Sequence, residues 1–362
     1  MKKSLVLSLA ALLLATPALA QEEPVVNVYN WTDYIAEDTI ARFTAETGIT
    51  VNYTNYTENE TLEAALLAGS SGYDVVFPSG FFLERQIEIG VYQPLDKAKL
   101  PNLANMDPVS MRQAATHDAD NTHSVPYMSF TTGFGYNVAK VMERMPDAPV
   151  GSWDMLFKPE VVSKFADCGV TMLDAPAEVV ASALNYLGLD PNSESEEELA
   201  KAEALLASVR PYIRYYRSSG YIEDLASGEI CLALGYSGDI FIAADTAAEA
   251  GGGIEIAYTI PSEGAIAAFD LMAIPADAPH PDNAHKFIDF IMQPEVAAGV
   301  TNTVFYANAN AASLALVDPA IRDNPGIYPP DAVKANLFAV SPHADAFDSK
   351  LIEAWTRVTT GQ

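Results

Sequence analysis

The stretch "VVNVYNWTDYIAEDTIARFTAETGITVNYTNYTENETLEAALLAGSSGYDVVFPSG", residues 25–80, decides the fold class of this chain. Apolar runs rich in β-branched and aromatic residues alternate in it with segments of helical period. The runs are 25–30, 49–56 and 73–80, and the helical segments are 37–48 and 59–69. Strand, helix, strand, helix, strand in this order predicts an open, mostly parallel sheet with helices on both faces.

The rest of the chain repeats this alternation. Further strands are predicted at 169–176, 229–236 and 267–275, and further helices at 177–188, 194–213, 237–251 and 281–300, the last with a break at Pro294. The sequence contains no internal repeat and no flexible linker between domains. We therefore expect an α/β protein of two lobes joined by strands that cross between them.

The first twenty residues, "MKKSLVLSLAALLLATPALA", are typical of a secretory signal peptide. They combine two lysines, a short apolar core, and Ala18 and Ala20 in A-x-A spacing. We expect cleavage after Ala20 and an exported, soluble mature protein.

The chain is strongly acidic, with 48 Asp and Glu against 20 Lys and Arg and a formal net charge of −28. Without Lys2 and Lys3 the count becomes 48 against 18, or 30 net negative charges. Such a field disfavours nucleic acid and anionic membrane surfaces as partners, and it favours cationic small molecules. An acidity that serves only solubility is an equally open interpretation.

The chain has two cysteines, Cys168 and Cys231. In an exported protein an even pair favours a disulfide over a free thiol or a metal site. Closing a loop of this length would stabilise the fold by about 4 kcal/mol in the chain-entropy model. We expect a structural bond and not a catalytic one.

Signatures of catalysis are missing from the sequence. It has no G-x-S-x-G elbow, no P-loop and no H-E-x-x-H motif. The stretch "HDADNTH", 117–123, gathers two histidines and two aspartates, but the glycine and glutamate that a calcium loop needs are replaced by His123 and Ser129. A solvated polar turn is the better interpretation, and we expect no catalytic residue, no metal and no cofactor.

Aromatic residues recur beside carboxylates in loops after predicted strands. The groups are Trp31, Asp33 and Tyr34, then Tyr236 and Asp239, then Phe269 and Asp270. Ligands of open α/β sheets bind beyond the carboxyl ends of the strands. Carboxylates bind alkylammonium groups and aromatic faces cover the methylenes between them, so this set would select a linear diamine. Taken singly, Asp33 or Asp239 is better explained as a helix cap.

Seven stretches, in order, resemble the periplasmic polyamine-binding proteins of ABC importers, most of all their putrescine-binding branch. They are "YNWTDYIAEDT" (29–39), "GYDVVFPSGFFLERQ" (72–86), "PYMSFTTGFGYN" (126–137), "LDAPAEV" (173–179), "NYLGLDPNS" (185–193), "FYANAN" (305–310) and "NPGIYPP" (324–330). The resemblance implies a type II periplasmic-binding-protein fold that closes around its ligand. It implies a lobe one of residues 21–131 and 261–302 and a lobe two of residues 132–260 and 303–362.

The resemblance also implies a set of ligand-binding residues. Lobe one would supply Trp31, Thr32, Asp33, Tyr34, Ser79 and Asp270, lobe two would supply Glu178, Tyr236 and Asp239, and Tyr306 would lie near the crossover. Asp270 would bind one ammonium, and the other carboxylates would bind the second polar end directly or through water. The aromatic residues would pack on the carbon chain. The cysteine pair matches the disulfide of this family.

The sequence departs from the putrescine-binding branch at four positions. Tyr236 replaces a tryptophan, Ala268 a phenylalanine and Ser341 a lysine, while Phe81 replaces a serine that is aromatic in the spermidine-binding branch. We expect the alanine to open space and the lost lysine to reduce positive charge near the mouth. Both changes make a longer or more highly charged polyamine a second candidate ligand.

The resemblance implies a periplasmic, monomeric receptor that captures putrescine, or else cadaverine, agmatine or spermidine, and delivers it to an inner-membrane ABC permease. A receptor of the same fold for another organic cation, or one that acts in signalling, is an alternative. A glycosidase that uses Asp239 and Asp270 as acid and base is a remote one.

Overall fold

The computed structural model describes residues 22–361, so the predicted signal peptide, residues 1–20, lies outside the described residues. The strands within this range are β1 (Val25–Trp31), β2 (Thr50–Tyr56), β3 (Val75–Val76), β4 (Ser124–Asn137), β5 (Val170–Met172), β6 (Tyr215–Tyr216), β7 (Leu232–Tyr236), β8 (Ile256–Thr259), β9 (Ala265–Ala273), β10 (Ala307–Asn308) and β11 (Leu337–Phe338).

The α-helices surround these strands. They are α1 (Thr39–Thr47), α2 (Asn59–Leu67), α3 (Gly80–Glu88), α4 (Pro108–Ala114), α5 (Val138–Arg144), α6 (Asp154–Phe157), α7 (Pro159–Val162), α8 (Pro176–Tyr186), α9 (Glu196–Val209), α10 (Tyr221–Ser227), α11 (Ser237–Glu249), α12 (Pro281–Ile291), α13 (Pro294–Val304), α14 (Pro319–Arg322), α15 (Asp331–Lys334) and α16 (Asp345–Thr360).

Local sequence signals fix several of these boundaries. Gly48 ends α1 with a φ of 73°, in the left-handed region that favours glycine. Pro176, Pro281 and Pro294 stand in the first turns of α8, α12 and α13, where a missing N–H costs no helical hydrogen bond. The predicted break at Pro294 is thus confirmed, because the segment 281–300 forms the two helices α12 and α13.

The strands pair in the order β2-β1-β3-β9-β4-β7-β5-β6, with β8 and β10 beside β4 and β11 beside β9. Pairing is parallel among β1, β2 and β3 at one end and among β5, β6 and β7 at the other. The predicted βαβαβ start is thus confirmed, and the parallel strands direct their carboxyl ends toward the connecting loops.

The long strands β4 and β9 run antiparallel to each other and connect the two parallel groups. Two glycines let neighbouring segments approach β4 closely. A Cβ on Gly133 would lie 2.2 Å from the carbonyl oxygen of Thr259, and one on Gly135 would lie 2.5 Å from Ile240. Any larger residue at these positions would push β8 and α11 away from the strand.

Two large apolar cores form on either side of these crossing strands. The first core takes its buried residues from 26–130 and 272–309, and the second takes them from 134–247 and 347–358. Tyr236 packs against both. The lobe bounds implied by the resemblance stay a prediction. The resemblance assigned Tyr306 and Ala309 to lobe two, whereas both residues pack in the first core.

Cys168 and Cys231 form the expected disulfide inside the second core, with their Cα atoms 5.5 Å apart. The bond joins the turn before β5 to the start of β7. Within residues 22–361, no helix combines the length and the apolar character that crossing a bilayer would need.

Candidate functional site

A cavity of about 470 Å³, counted to its open mouth, lies where the two cores meet. We call it the candidate cavity. Eight of the ten predicted binding residues line it: Trp31, Thr32, Tyr34, Ser79, Tyr236, Asp239, Asp270 and Tyr306. Trp31 and Tyr236 end β1 and β7, Thr32, Tyr34 and Ser79 lie in the loops after β1 and β3, Asp239 lies in the first turn of α11, and Tyr306 follows α13. Asp270 lies inside β9 and not, as predicted, in a loop after a strand. The rule that ligands bind beyond the carboxyl ends of the strands, here called the carboxyl-end rule, therefore located most of the residues that line the cavity.

Asp270 is 4% exposed and is held by two hydroxyl groups. Ser79 Oγ donates to its Oδ1 at 2.7 Å, and Tyr34 Oη donates to its Oδ2 at 2.8 Å. Asn59 in turn holds Ser79, accepting from its backbone N–H at 3.1 Å and donating to its Oγ at 3.0 Å. Both oxygens of Asp270 are thus oriented by groups that carry no positive charge.

Asp239 lies in the first turn of α11 and has the same kind of surroundings. Tyr306 Oη donates to its Oδ1 at 2.6 Å, and Tyr221 Oη donates to its Oδ2 at 2.7 Å. Tyr221 Oη also accepts from the backbone N–H of Tyr236 at 3.1 Å. The side chain of Asp239 therefore makes no cap to its own helix, and the capping interpretation was wrong for this residue.

Burial raises the pKa of both carboxyl groups. The pKa of Asp270 rises from 3.8 to about 7 and that of Asp239 rises from 3.8 to about 6 because desolvation penalises the charged form. The hydroxyl donors lower each pKa in part, and the repulsion that Asp239 exerts on Asp270 raises the latter further. Such a pair gains most from a cation that replaces lost solvation.

Glu178 lines a second, narrower cavity that shares Trp31, Thr57, Ser218 and Tyr236 with the candidate cavity. We call it the acidic side pocket, because Glu58, Glu60 and Asp174 also line it. Tyr236 Oη donates to Glu178 Oε1 at 3.0 Å and Thr132 Oγ1 donates to its Oε2 at 2.8 Å. Burial raises the pKa of Glu178 to about 7.

Asp33 is the predicted residue that the structure does not bring into either cavity. It is exposed, and its φ of 55° turns the chain sharply after β1. Its neighbours Thr32 and Tyr34 line the candidate cavity, so Asp33 lies near the rim. Direct contact between Asp33 and a bound ligand is not supported by this position.

The aromatic walls are fixed by contacts among themselves and with the backbone. Trp31 Nε1 donates to the carbonyl of Phe77 at 2.8 Å, and its ring lies 4.6 Å from that of Tyr56. The rings of Tyr34 and Tyr306 meet edge to face at 4.9 Å. These rings therefore present preformed faces to the cavity.

Four lining residues were not predicted: Tyr56, Thr57, Phe130 and Ser218. Tyr56 ends β2 and Thr57 follows it, so the same rule about the carboxyl ends of strands would have found both if we had applied it to this strand. Ser218 follows the two-residue strand β6, which the sequence did not reveal. Its buried hydroxyl has no hydrogen-bond partner among the described residues.

The departures from the putrescine-binding branch lie outside the candidate cavity, apart from Tyr236. Ala268 lines a separate hollow, Ser341 lines an outer groove between α3 and α16, and Phe81 lines that groove and the acidic side pocket. Neither Ala268 nor Ser341 lines the candidate cavity, and the expectation that they change the size and charge of the binding space stays a prediction. Phe130, opposite Ala268 on β4, lines the candidate cavity instead.

The stretch 117–123 is a polar turn held by its own hydrogen bonds. Asp118, which is only 3% exposed, accepts from the backbone N–H groups of His123 and Ser124, each at 2.8 Å. His117 lies beside Glu84 at 2.8 Å. No cluster of His, Cys, Asp or Glu in residues 22–361 is suited to hold a metal ion. Asp118 therefore holds the turn together, and the turn is more buried than the solvated one that the sequence predicted.

The cavity as a whole is a negatively charged, aromatic site. None of the described side chains that line it is basic. Hydroxyl groups orient two carboxylates there without neutralising them, and flat rings form part of its walls. This arrangement suits an alkyl chain that carries positive charge.

Residues 38–329 match the family model of the bacterial extracellular solute-binding proteins. The chain is 48% identical to the putrescine-binding periplasmic protein of Escherichia coli over 98% of this chain and 96% of that one. It is also 48% identical to a putrescine-binding periplasmic protein of Pseudomonas aeruginosa, over 95% of this chain and 94% of the relative.

A solved structure from Listeria monocytogenes, titled a putative spermidine/putrescine ABC transporter, superposes with a TM-score of 0.84. It is 30% identical in sequence and covers 94% of this chain and all of its own. The predicted periplasmic-binding-protein fold is thereby confirmed.

Proposed function

The chain belongs to the bacterial extracellular solute-binding proteins, and on that premise we propose that it captures a linear diamine and delivers it to an ABC permease. Putrescine is the ligand we propose first. The observation that carries this choice is that Asp239 and Asp270, both buried and both held by hydroxyl donors, line one cavity whose described walls contain no basic side chain.

The mechanism of capture follows from the hydrogen bonds. One ammonium would bind Asp270, whose oxygens are already oriented by Ser79 and Tyr34. The other would bind Asp239, oriented by Tyr221 and Tyr306. Because the donors are preorganised, little side-chain ordering accompanies binding. Each ammonium still has protons left for further acceptors, and the free hydroxyl of Ser218 is one such group.

The methylenes of the ligand would lie between the aromatic rings. Trp31, Tyr236 and Tyr306 offer faces that exclude water from an alkyl chain and attract its charged ends. Glu178, in the acidic side pocket, would bind the second polar end through water or bind the additional ammonium of a longer polyamine. Spermidine is therefore our second candidate ligand, and the acidic side pocket would receive its additional ammonium.

We propose that the protein acts in the periplasm as a monomer, with an inner-membrane permease as its partner. The relatives are named periplasmic proteins, and the two apolar cores around crossing strands would serve as the lobes that close on the ligand. The lobe bounds predicted from the resemblance belong to this proposal.

The raised pKa values of Asp239 and Asp270 provide the one feature that a glycosidase would share. An acid–base pair needs environments that push the two pKa values apart. Here desolvation and hydroxyl donors act on both residues in the same way. The relatives are solute-binding proteins, so we propose binding without catalysis.

Calorimetric titration of ligand-stripped protein tests the proposal. We expect putrescine to bind with a micromolar or lower Kd. Cadaverine, agmatine and spermidine should bind with Kd values close to that of putrescine. Butylamine is the matched control, because it keeps the four-carbon chain and lacks one ammonium. Butylamine binding as tight as putrescine, or no binding of any amine below millimolar concentration, would contradict the two-carboxylate site.

A further inference from the structure

Asn59, the first residue of α2, is a buried amide that lines the acidic side pocket and not the candidate cavity. Among the described residues its side chain makes two hydrogen bonds, and both are to Ser79. Ser79, in contrast, lines the candidate cavity and not the side pocket. A chain of hydrogen bonds thus runs from one cavity to the other, from Asn59 through Ser79 to Asp270.

The backbone of Ser79 decides the orientation of this amide. A backbone N–H can only donate, so the atom of Asn59 that lies 3.1 Å from the nitrogen of Ser79 must be the oxygen Oδ1. The other atom is then the NH2 group, which can only donate, and it lies 3.0 Å from Ser79 Oγ. Ser79 Oγ therefore has to accept a hydrogen bond from Asn59.

The direction of the Ser79 hydroxyl follows from this bond. A hydroxyl group has a single proton to donate. Because Asn59 supplies the proton of its own bond to Ser79, the proton of Ser79 is left to point at Asp270 Oδ1, 2.7 Å away. The backbone also holds Ser79 beside Asp270, since the two residues form an antiparallel bridge and the N–H of Leu271 donates to the carbonyl of Pro78 at 2.9 Å. Asn59 thus keeps Ser79 a donor to the carboxylate.

This donor matters because Asp270 must be ionised to bind an ammonium group. Burial raises the pKa of Asp270 to about 7, and of the two hydroxyl groups that oppose this rise, Ser79 lowers the pKa more than Tyr34 does. Hydrogen bonds in a chain also polarise one another, so the bond from Asn59 strengthens the one from Ser79 to Asp270. The amide in the side pocket therefore acts on the charge of the neighbouring cavity.

We propose that Asn59 is a positioning residue for polyamine capture, which fixes Ser79 as a hydrogen-bond donor to Asp270 without touching the ligand. This proposal rests on the proposed function, since it assumes that Asp270 binds an ammonium group. It differs from the role that the place of Asn59 in the side pocket would suggest, which is a direct contact with the extended end of a longer polyamine.

The test measures putrescine and spermidine binding by calorimetric titration on wild type, Asn59→Leu, Ser79→Ala and the double variant. Leucine has a similar branched shape and can neither donate nor accept a hydrogen bond. We expect Asn59→Leu to weaken the binding of both ligands by the same factor, about 5- to 50-fold. In the Ser79→Ala background the same substitution should change neither affinity, because the residue through which Asn59 acts is already lost.

The pH profile of binding provides a second readout. Loss of the oriented donor raises the pKa of Asp270, so the fall in putrescine affinity on acidification should begin at a higher pH in Asn59→Leu than in wild type. Asn283→Leu is the matched control, because it removes a buried amide outside both cavities that donates to the carbonyls of Glu23 and Val25. It should lower the free energy of unfolding and leave the affinity and its pH profile unchanged.

The outcomes separate the two proposals. If wild-type protein binds no putrescine, the proposed function is refuted. If wild type binds putrescine and a folded Asn59→Leu keeps the wild-type affinity and pH profile, the positioning proposal alone is overturned. It is also overturned if the substitution weakens binding equally in the Ser79→Ala background, or if it weakens spermidine binding alone, which would indicate a direct contact with the ligand. Should Asn59→Leu not fold in thermal unfolding measurements, Asn59→Ala replaces it under the same criteria.

Discussion

Replacing Asp270 by asparagine should change ligand affinity and stability in opposite directions. The substitution keeps the shape of the side chain and removes only its capacity to carry charge. The carbonyl oxygen of the new amide could still accept from one of the two hydroxyl groups, Ser79 or Tyr34, that now donate to the carboxylate. Any large effect would therefore report on the charge itself.

The loss of affinity follows from burial. An ammonium that enters this site is desolvated, and without the carboxylate it has no opposite charge to bind. Removing one partner of a buried charge pair costs about 3 to 5 kcal/mol, which corresponds to a roughly 100- to 4,000-fold higher Kd for putrescine.

The gain in stability follows from the raised pKa of Asp270. The unfolded chain releases this proton near 3.8, and the folded, unliganded protein releases it near 7. Between these values the folded state binds more protons, so its free energy of unfolding falls as the pH rises and stays low above the folded pKa. A shift of about three pKa units corresponds to about 4 kcal/mol.

Asparagine does not ionise, so the variant should escape this loss. Without ligand, Asp270→Asn should be more stable than wild type by up to about 4 kcal/mol near pH 8, and the difference should vanish near pH 4. Urea denaturation at both pH values measures the stability, and calorimetry near pH 8 measures putrescine binding. Asp245→Asn is the matched control: it makes the same charge change at an exposed position of α11.

Two results would refute this reasoning. One is an Asp270→Asn variant that binds putrescine as wild type does. The other is a variant that is less stable than wild type near pH 8, which would mean that the buried carboxylate stabilises the empty protein instead of straining it.

Three more predictions concern the same region. Putrescine binds the ionised forms of Asp239 and Asp270, whose pKa values are about 6 and 7. Its affinity should therefore fall about a hundredfold or more from pH 8 to pH 5, and a calorimetric affinity that does not change with pH would contradict this. Gly238→Ala would place a Cβ 2.1 Å from the Tyr306 ring and displace this hydrogen-bond donor from Asp239, so we expect a roughly 10- to 100-fold loss of putrescine affinity. Gly252→Ala is its control and should change the affinity little, because the Cβ there meets open space. Replacing both disulfide cysteines by serine should lower the free energy of unfolding by about 4 kcal/mol in urea denaturation while putrescine affinity stays at the wild-type value.

Local patterns were sufficient to predict most of the parallel strands, although not the two-residue strand β6. Helical period and strand length predicted β1, α1, β2 and α2 within a few residues. The antiparallel crossing was not predicted in detail, because β4 contains Pro126, Gly133 and Gly135, which are normally signs against a strand. The two glycines are explained only by the segments that pack on them, α11 and β8, which are distant in sequence.

The carboxylates of the site were predicted more reliably than their partners. The carboxyl-end rule and the resemblance found Asp239 and Asp270, but nothing near Tyr221 in the sequence indicates that its hydroxyl reaches Asp239. Phe130 was missed for a similar reason. Its relation to Ala268 is a pairing across strands separated by more than a hundred residues, and the register of such a pair is not visible in either strand alone.

Hydroxyl groups hold Asp239 and Asp270, and this choice of donor has a kinetic consequence. A lysine or arginine in their place would have to be pushed aside each time a cation arrived, and that exchange would add a barrier to entry. The tyrosine and serine hydroxyl groups orient the carboxylate oxygens without neutralising their charge. The carboxylates can therefore attract a cation through the open mouth of the cavity. Diffusion in the long-range field of an acidic protein then sets the association rate of the cation. The hydrogen bonds in the cavity determine only its dissociation rate.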